Sequence, residues 1–301
     1  VLLTAPAAPA SAQDGGGNGG TAAADPVERG EYLLHAGGCI TCHSKDREDA
    51  VPLAGGRALE TRYGTFYTPN ITPDPETGIG GWSESQFVRA LKHGISPQGH
   101  PYYPAFPYPS YAGMRDAGAR AIFAYLQSRE PVQREVPAHE LDFPYNVRLT
   151  LWPWRWLFFD PATYQPDPER SEGWNRGAYL VRHLGHCGEC HTPRNRLGAK
   201  IAELHLAGNP DGPEDRSIPN ITQHPDDGIG GWEPVDITFF LETGFYPGGD
   251  VAGGGMSAVI QDGTSELTSA DREAIAEYLL SLPETPSPEG SADGSEKDNG
   301  G

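Results

Sequence analysis

All four cysteines of this chain fall in two copies of one pattern, Cys39-Ile-Thr-Cys42-His43 and Cys187-Gly-Glu-Cys190-His191. Two thiols about one helical turn apart, followed at once by an imidazole, suit three chemistries: a dithiol redox pair, a zinc site, or covalent attachment of a haem whose iron the histidine ligates. A redox pair belongs in a strand–helix–strand setting, which the sequence does not offer. A tetrahedral zinc site needs both cysteine pairs in one place. The two thiols of each motif instead match the two vinyl groups on one porphyrin edge. The expectation is two covalently bound haem c groups, held through Cys39, Cys42, Cys187 and Cys190, with His43 and His191 as proximal iron ligands. Two large apolar cofactors also suit a composition of 37% hydrophobic residues with 39 Gly and 29 Pro.

The sixth iron ligand separates a closed electron carrier from an iron open to substrate. Met256, in a Gly-rich stretch before the last expected helix, is the candidate at the second site. Counting from the matched Gly94 and Gly244, the equivalent of Met256 is Phe106, which cannot bind iron. The first site therefore has Met114, eight residues later, as its candidate, with His100, His93 or an open position as alternatives. Met114 has a second reading, as a cap packing on the following helix like its counterpart Leu267. Haem propionates need donors where they are partly buried. Asn70, Trp82, Arg57 and Arg62 are candidates in the first half, and Asn220, Trp232 and Arg194 in the second. The acidic turns at 74–78 and 226–228 read as turns, not calcium sites.

The elements that must position these residues are repeated. Tyr67-Thr-Pro-Asn-Ile-Thr-Pro-Asp-Pro-Glu-Thr-Gly-Ile-Gly-Gly-Trp82 pairs with Ile218-Pro-Asn-Ile-Thr-Gln-His-Pro-Asp-Asp-Gly-Ile-Gly-Gly-Trp232. Asn70 thus matches Asn220, and Trp82 matches Trp232. Helical periodicity predicts helices over 26–36, 85–92 and 116–128, and again over 174–184, 235–242 and 268–281. Gly30 and Gly177 sit where another backbone can come close. Strand-like alternation is nearly absent, so the expected class is all-α. The expected divisions are a leader at 1–25, a first domain at 26–130, a connector at 131–173, a second domain at 174–283 and a disordered acidic tail at 284–301. The connector carries Leu151-Trp-Pro-Trp-Arg-Trp-Leu-Phe-Phe159, too aromatic for a solvated linker, and is expected to pack over both domains or to meet a partner.

Acidic residues number 41 against 22 basic ones, a net charge of −19, which excludes duplex nucleic acid as a partner. Residues 1–13 carry Ala10-Ser11-Ala12 as a small-residue cleavage site and read as the remnant of a secretory signal, followed by a Gly/Ala tether. No stretch approaches the apolar length of a membrane span. The expected location is the periplasm.

Taken together, Pro-Asn-Ile-Thr followed by Thr-Gly-Ile-Gly-Gly-Trp, Tyr103-Pro-Ala-Phe-Pro-Tyr108 and Gly185-His-Cys-Gly-Glu-Cys-His-Thr-Pro-Arg194 resemble the cytochrome c subunits of bacterial periplasmic dehydrogenases. The resemblance covers roughly residues 27–282. It implies tandem class I cytochrome c domains, His43 and His191 proximal, and Met256 distal. It also implies a periplasmic dehydrogenase of flavin, quinoprotein or molybdenum type as electron donor, and an oxidase or carrier as acceptor. Electron transport without bond chemistry is the implied role. The rival readings are a dihaem peroxidase that uses the first haem as its open site, and a sulfur-compound oxidase.

Overall fold

The computed structural model describes residues 25–44, 51–212 and 216–289. The expected signal remnant and the end of the acidic tail lie outside the described residues. Helix α1, Pro26–Ala36, starts where the Asp25 carboxylate accepts from the Val27 N–H, and it stops at Gly37. The short α2, Cys39–His43, carries the first Cys motif. α3, Glu84–His93, is opened by a reciprocal Ser83–Gln86 capping box and closed by Gly94 in the left-handed conformation. α4, Tyr108–Tyr111, and α5, Asp116–Gln127, complete the first half.

The second half repeats this order. α7, Glu172–Tyr179, runs on as a π-helical turn, Leu180–Leu184, into α8, Gly188–His191, which carries the second Cys motif. α9, Pro234–Thr243, α10, Gly254–Asp262, and α11, Ser269–Leu280, follow. The expected helices are all present, with ends shifted by one or two residues.

The chain is mostly helical, but the all-α expectation needs one correction. A small antiparallel sheet joins β1, Ala58–Thr61, β2, Gly64–Tyr67, and β3, Glu140–Leu141. β1 and β2 form a hairpin in register Ala58↔Tyr67 and Thr61↔Gly64, and β3 pairs along the other edge of β2. Strands of four and two residues are too short to display a period of two, so alternation had nothing to reveal. Gly64 permits the pairing, because a Cβ there would lie 2.3 Å from the Glu140 carbonyl oxygen.

Two helix crossings without an intervening side chain organise the core. A Cβ on Gly30 would lie 2.0 Å from the Ala121 carbonyl oxygen, and one on Gly177 would lie 1.9 Å from that of Ala274. α1 is thereby pressed onto α5, and α7 onto α11. The buried side chains of both halves, from Leu33 and Leu34 through Leu180 and Leu184 to Ile275 and Leu279, form one contiguous cluster.

Between the halves, a 3₁₀ turn at Arg148–Thr150 leads into α6, Leu151–Phe158. Its inner side is fastened. Leu151 is buried, the Trp154 indole donates to the Leu197 carbonyl at 2.7 Å, and the Arg155 guanidinium lies 5.0 Å from the Tyr108 ring centre. Its outer side is open: Leu149, Trp152 and Trp156, at i, i+3 and i+7, are exposed, Trp156 by 84%.

The halves also meet at a buried carboxylate. Arg176 of α7 grips the Asp271 carboxylate of α11 with two hydrogen bonds, 2.8 and 2.7 Å, and the Tyr32 hydroxyl of α1 donates to the same carboxylate. Burial alone would raise the Asp271 pKa, but the Arg176 bond and charge and the Tyr32 bond bring it below the ordinary value. A carboxyl whose pKa is lower folded than unfolded contributes stability fully above the unfolded value, about 3.9, and loses it as pH falls through the folded one.

Two outcomes are expected. Gly177→Ala must separate α7 from α11 and is expected to cost about 3 kcal/mol or more, read as a lowered denaturant midpoint. Unfolding free energy should decline as pH drops below about 4, and Asp271→Asn should both lower stability at neutral pH, by about 3–5 kcal/mol, and flatten that decline.

Candidate haem-attachment sites

Each Cys motif is a single helical turn delivered directly by the helix that crosses at Gly30 or Gly177. The histidines are held in the same way. His43 Nδ1 donates to the Pro69 carbonyl at 2.8 Å, and His191 Nδ1 donates to the Pro219 carbonyl at 2.8 Å. A carbonyl only accepts, so this bond fixes the proton on Nδ1 and leaves the Nε2 lone pair for a metal. The histidine carbonyls are clamped too: Gly55 N–H donates to His43 at 2.7 Å, and Gly208 N–H to His191 at 2.9 Å. Surrounding protein lowers both imidazole pKa values, against an opposing pull from the proline carbonyls.

Sequence reading missed the segment that sets these clamps. Leu53-Ala54-Gly55 recurs as Leu206-Ala207-Gly208, and both leucines adopt left-handed backbone, φ 65° and 64°. A non-glycine residue held there carries strain of order 1 kcal/mol, repaid by burial of both leucine side chains. Three identical residues at matched places in the repeat were the available signal.

All four cysteines are unpaired and half-buried. Desolvation pushes the Cys39 and Cys190 thiols up to about 12 and Cys187 to about 11, and raises Cys42 as well. A dithiol redox pair needs the opposite shift, toward thiolate. Among the described residues no group of three or more His, Cys, Asp or Glu is placed to hold a metal ion, so the two Cys pairs do not assemble a zinc site.

The remaining predicted residues divide. Asn70 spends its side chain on the backbone: its amide donates to the Val132 carbonyl at 2.7 Å, and its oxygen accepts from Thr72 N–H and hydroxyl at 2.9 and 2.8 Å. Asn220 does the same with the Thr285 carbonyl and Thr222, at 2.8, 2.8 and 2.7 Å. Both asparagines staple the chain beyond the last helix of their half over the segment whose proline carbonyl orients the histidine. Trp82 and Trp232 pack against the core. Arg57 donates to the Thr41 carbonyl at 2.6 Å. Arg62 reaches Asn195 and Asp211 in the second half, and Arg194 is engaged by Gly198 and Glu189.

Met114 is fully buried. Its methyl carbon would lie 3.9 Å from a Cβ on Gly118. Met256 is half-buried, and it lies in the first turn of α10 rather than in the loop expected for it. Phe106 packs against the same core, His93 closes α3, and His100 is exposed on a turn.

The two motifs meet. Tyr111 of α4, buried, donates to the Gly37 carbonyl at 2.7 Å, and its ring lies edge-on, 5.2 Å from that of His186. Its phenol is pushed well above its ordinary range by burial, then by Cys39, Cys42 and Glu189 in turn. Glu189, inside the second motif and 11% exposed, pairs with Lys200 at 2.7 Å and with Arg194, and accepts from Ser110 of the first half. Burial would raise its pKa, but Lys200 and then Arg194 draw it far below the usual carboxylate range.

The donor set fits haem c at both places: two unpaired thiols and an imidazole with Nε2 presented. The Thr41 hydroxyl, between the first two cysteines, is buried without a partner.

Comparison with known proteins agrees. The chain is 44% identical over 261 residues to a "Diheme cytochrome c-type" protein of Cereibacter sphaeroides, covering 85% of this chain and 86% of that one. It is 44% identical over 265 residues to a nicotinate dehydrogenase subunit of Pseudomonas putida, covering 87% of this chain but 22% of that protein. It is 39% identical over 259 residues to the fructose dehydrogenase cytochrome subunit of Gluconobacter japonicus, covering 85% of this chain and 52% of that protein. The chain thus spans about half the length of the sugar and alcohol dehydrogenase cytochromes it matches. No family model matches the chain. A mostly helical chain with two Cys-x-x-Cys-His motifs and these relatives is of the cytochrome c class. It belongs to the dihaem c-type cytochromes.

Asn220→Ala should strand the Thr285 carbonyl and the Thr222 N–H and cost about 1–3 kcal/mol in denaturant unfolding, and Asn70→Ala should cost a similar amount.

Proposed function

We propose that the chain is a periplasmic dihaem electron carrier. It takes electrons one at a time from a partner dehydrogenase and hands them to an oxidase or another carrier toward the respiratory chain. Cys39 and Cys42 would hold the first haem and Cys187 and Cys190 the second. His43 with Met114, and His191 with Met256, would be the axial pairs, and Trp82 and Trp232 the propionate donors. The observation that carries this reading is the duplicated histidine clamp, with Nδ1 on a proline carbonyl and the backbone carbonyl on a glycine N–H at both sites. A ligand held this firmly suits electron transfer, where little rearrangement should accompany the change of charge.

The relatives support a dehydrogenase as donor, since several are named as cytochrome subunits of fructose, gluconate and alcohol dehydrogenases. A haem supplies reversible one-electron chemistry when bound. What this chain's own residues contribute is attachment, a fixed imidazole, a sulfur ligand and exclusion of water. No helix among the described residues is long and apolar enough to cross a membrane. The net charge of −19 favours a basic docking face on the donor, with transfer slowing as salt rises.

The test is the near-infrared charge-transfer band of methionine-bound ferric haem in the holoprotein. Met114→Leu and Met256→Leu are each expected to remove about half of it while the haem content stays at two per chain. A band untouched by Met114→Leu, together with peroxide consumption in the absence of any partner, would replace the carrier with the peroxidase.

A further inference from the structure

The repeat is broken at one informative place. Gly38, immediately before Cys39, has left-handed backbone at φ 62°, and its counterpart before Cys187 is His186, at φ 41°. The first half meets this requirement with glycine, the residue suited to it, whereas the second half places a ring-bearing residue in a conformation such residues avoid. Strain kept at one copy of a repeat points to what the side chain does there.

The His186 ring lies in the seam between the two Cys motifs. A Cβ on Gly38 would be 3.8 Å from His186 Nε2, and one on Gly185 would be 3.6 Å from the Ala36 carbonyl oxygen. The turn leading into the first motif therefore packs on the turn leading into the second. Tyr111 closes the seam from the side, through its bond to Gly37 and its edge-on contact with His186. The thiols follow: Cys190 is within electrostatic reach of Cys42 as well as of Cys187. Ser110 of the first half bolts the same seam, its hydroxyl donating to Glu189 and accepting from Lys200, which are themselves ion-paired.

We propose that this seam is the route by which an electron passes between the two haems, and that His186 and Tyr111 are the positioning residues that hold the two attachment motifs back to back. The proposal rests on the dihaem reading above. What would cross is one electron, so oxidation of the haem held at one motif would balance reduction of the haem held at the other. No bond is made or broken, no proton moves, and Tyr111 and His186 remain in their closed-shell forms.

The experiment uses the full-length holoprotein with His186→Gly, His186→Asn and Tyr111→Phe. Glycine and asparagine both tolerate left-handed backbone, so these His186 variants relieve strain while changing only what fills the seam. Three readouts apply: haems per chain, the Soret circular-dichroism couplet of neighbouring haems, and the rate of inter-haem electron redistribution after flash reduction. The parent is expected to show a couplet. His186→Gly should keep two haems yet shrink the couplet and slow redistribution several-fold, because the transfer rate falls with the distance between the two motifs. His186→Asn should recover part of the loss. If His186→Gly does not load haem, Tyr111→Phe, which removes one hydroxyl, carries the test and should slow redistribution in the same direction. Two haems with an unchanged couplet and rate in the loaded variants would overturn the seam as the route and leave the carrier reading intact. Fewer than two haems in the parent would overturn the dihaem reading itself.

Discussion

The architecture depends on two places where helix backbones touch with nothing between them, Gly30 against Ala121 and Gly177 against Ala274. Side chains at a helix crossing set a distance that rotamers can adjust, whereas a bare backbone contact has no such slack. The consequence propagates along the chain. α1 and the π-extended α7 end at fixed points, the Cys motifs begin a turn later, and the histidine at the end of each motif arrives where a glycine N–H and a proline carbonyl are waiting. The strained Leu53 and Leu206 belong to the same chain of constraint, since each precedes by two residues the glycine that clamps the histidine. Burial of the leucine side chains keeps a backbone conformation that local energetics alone would reject.

Most of this was legible where a residue's type determines its chemistry. Cysteine and histidine spacing indicated haem attachment, matched glycines indicated the crossings, and periodicity indicated the helices to within a residue or two. What escaped was decided by partners distant in sequence. Asn70 and Asn220, expected as candidates for a carboxylate ligand, are occupied by the carbonyls of Val132 and Thr285, some 60 residues further on. The β1–β2 hairpin is too short to announce itself, and β3 comes from the connector. Met256 was expected in a loop because glycines surround it, yet Gly254 and Gly255 open α10, whose packing outweighs the poor helix propensity of its first residues. Glu189 sat in plain view inside a Cys motif, but its value depends on Lys200 and Ser110, which no local rule connects to it.

A repeat in sequence does not make two independent bodies in space, and the reason lies in where the copies differ. Tyr32 and Tyr179 occupy matched places in α1 and α7, and each reaches the far helix of the other half. Tyr32 meets Asp271 of α11, whereas the Tyr179 hydroxyl oxygen would lie 4.0 Å from a Cβ on Gly118 of α5. Gly118 and Asp271 are themselves matched, three residues before Ala121 and Ala274. The exchange of tyrosines is thus nearly symmetrical, while the residues that receive them are a glycine on one side and a buried carboxylate on the other. The seam shows the same pattern, with Gly38 opposite His186 and Thr41 answering to Glu189. An ion pair sealed inside a protein contributes little net stability against a well-packed apolar alternative, but it penalises every arrangement that leaves either charge unpaired. What crosses between the copies are the Tyr32 hydroxyl on Asp271 and the Ser110 hydroxyl on Glu189, each ending on a carboxylate already ion-paired within the second half; an arrangement that withdrew either hydroxyl would leave that buried carboxylate short of a donor, which favours one mutual orientation out of the many that two similar apolar faces would permit. For the carrier proposed above, that selectivity would matter more than the energy of any single bond, because the distance between the two motifs is what the orientation sets.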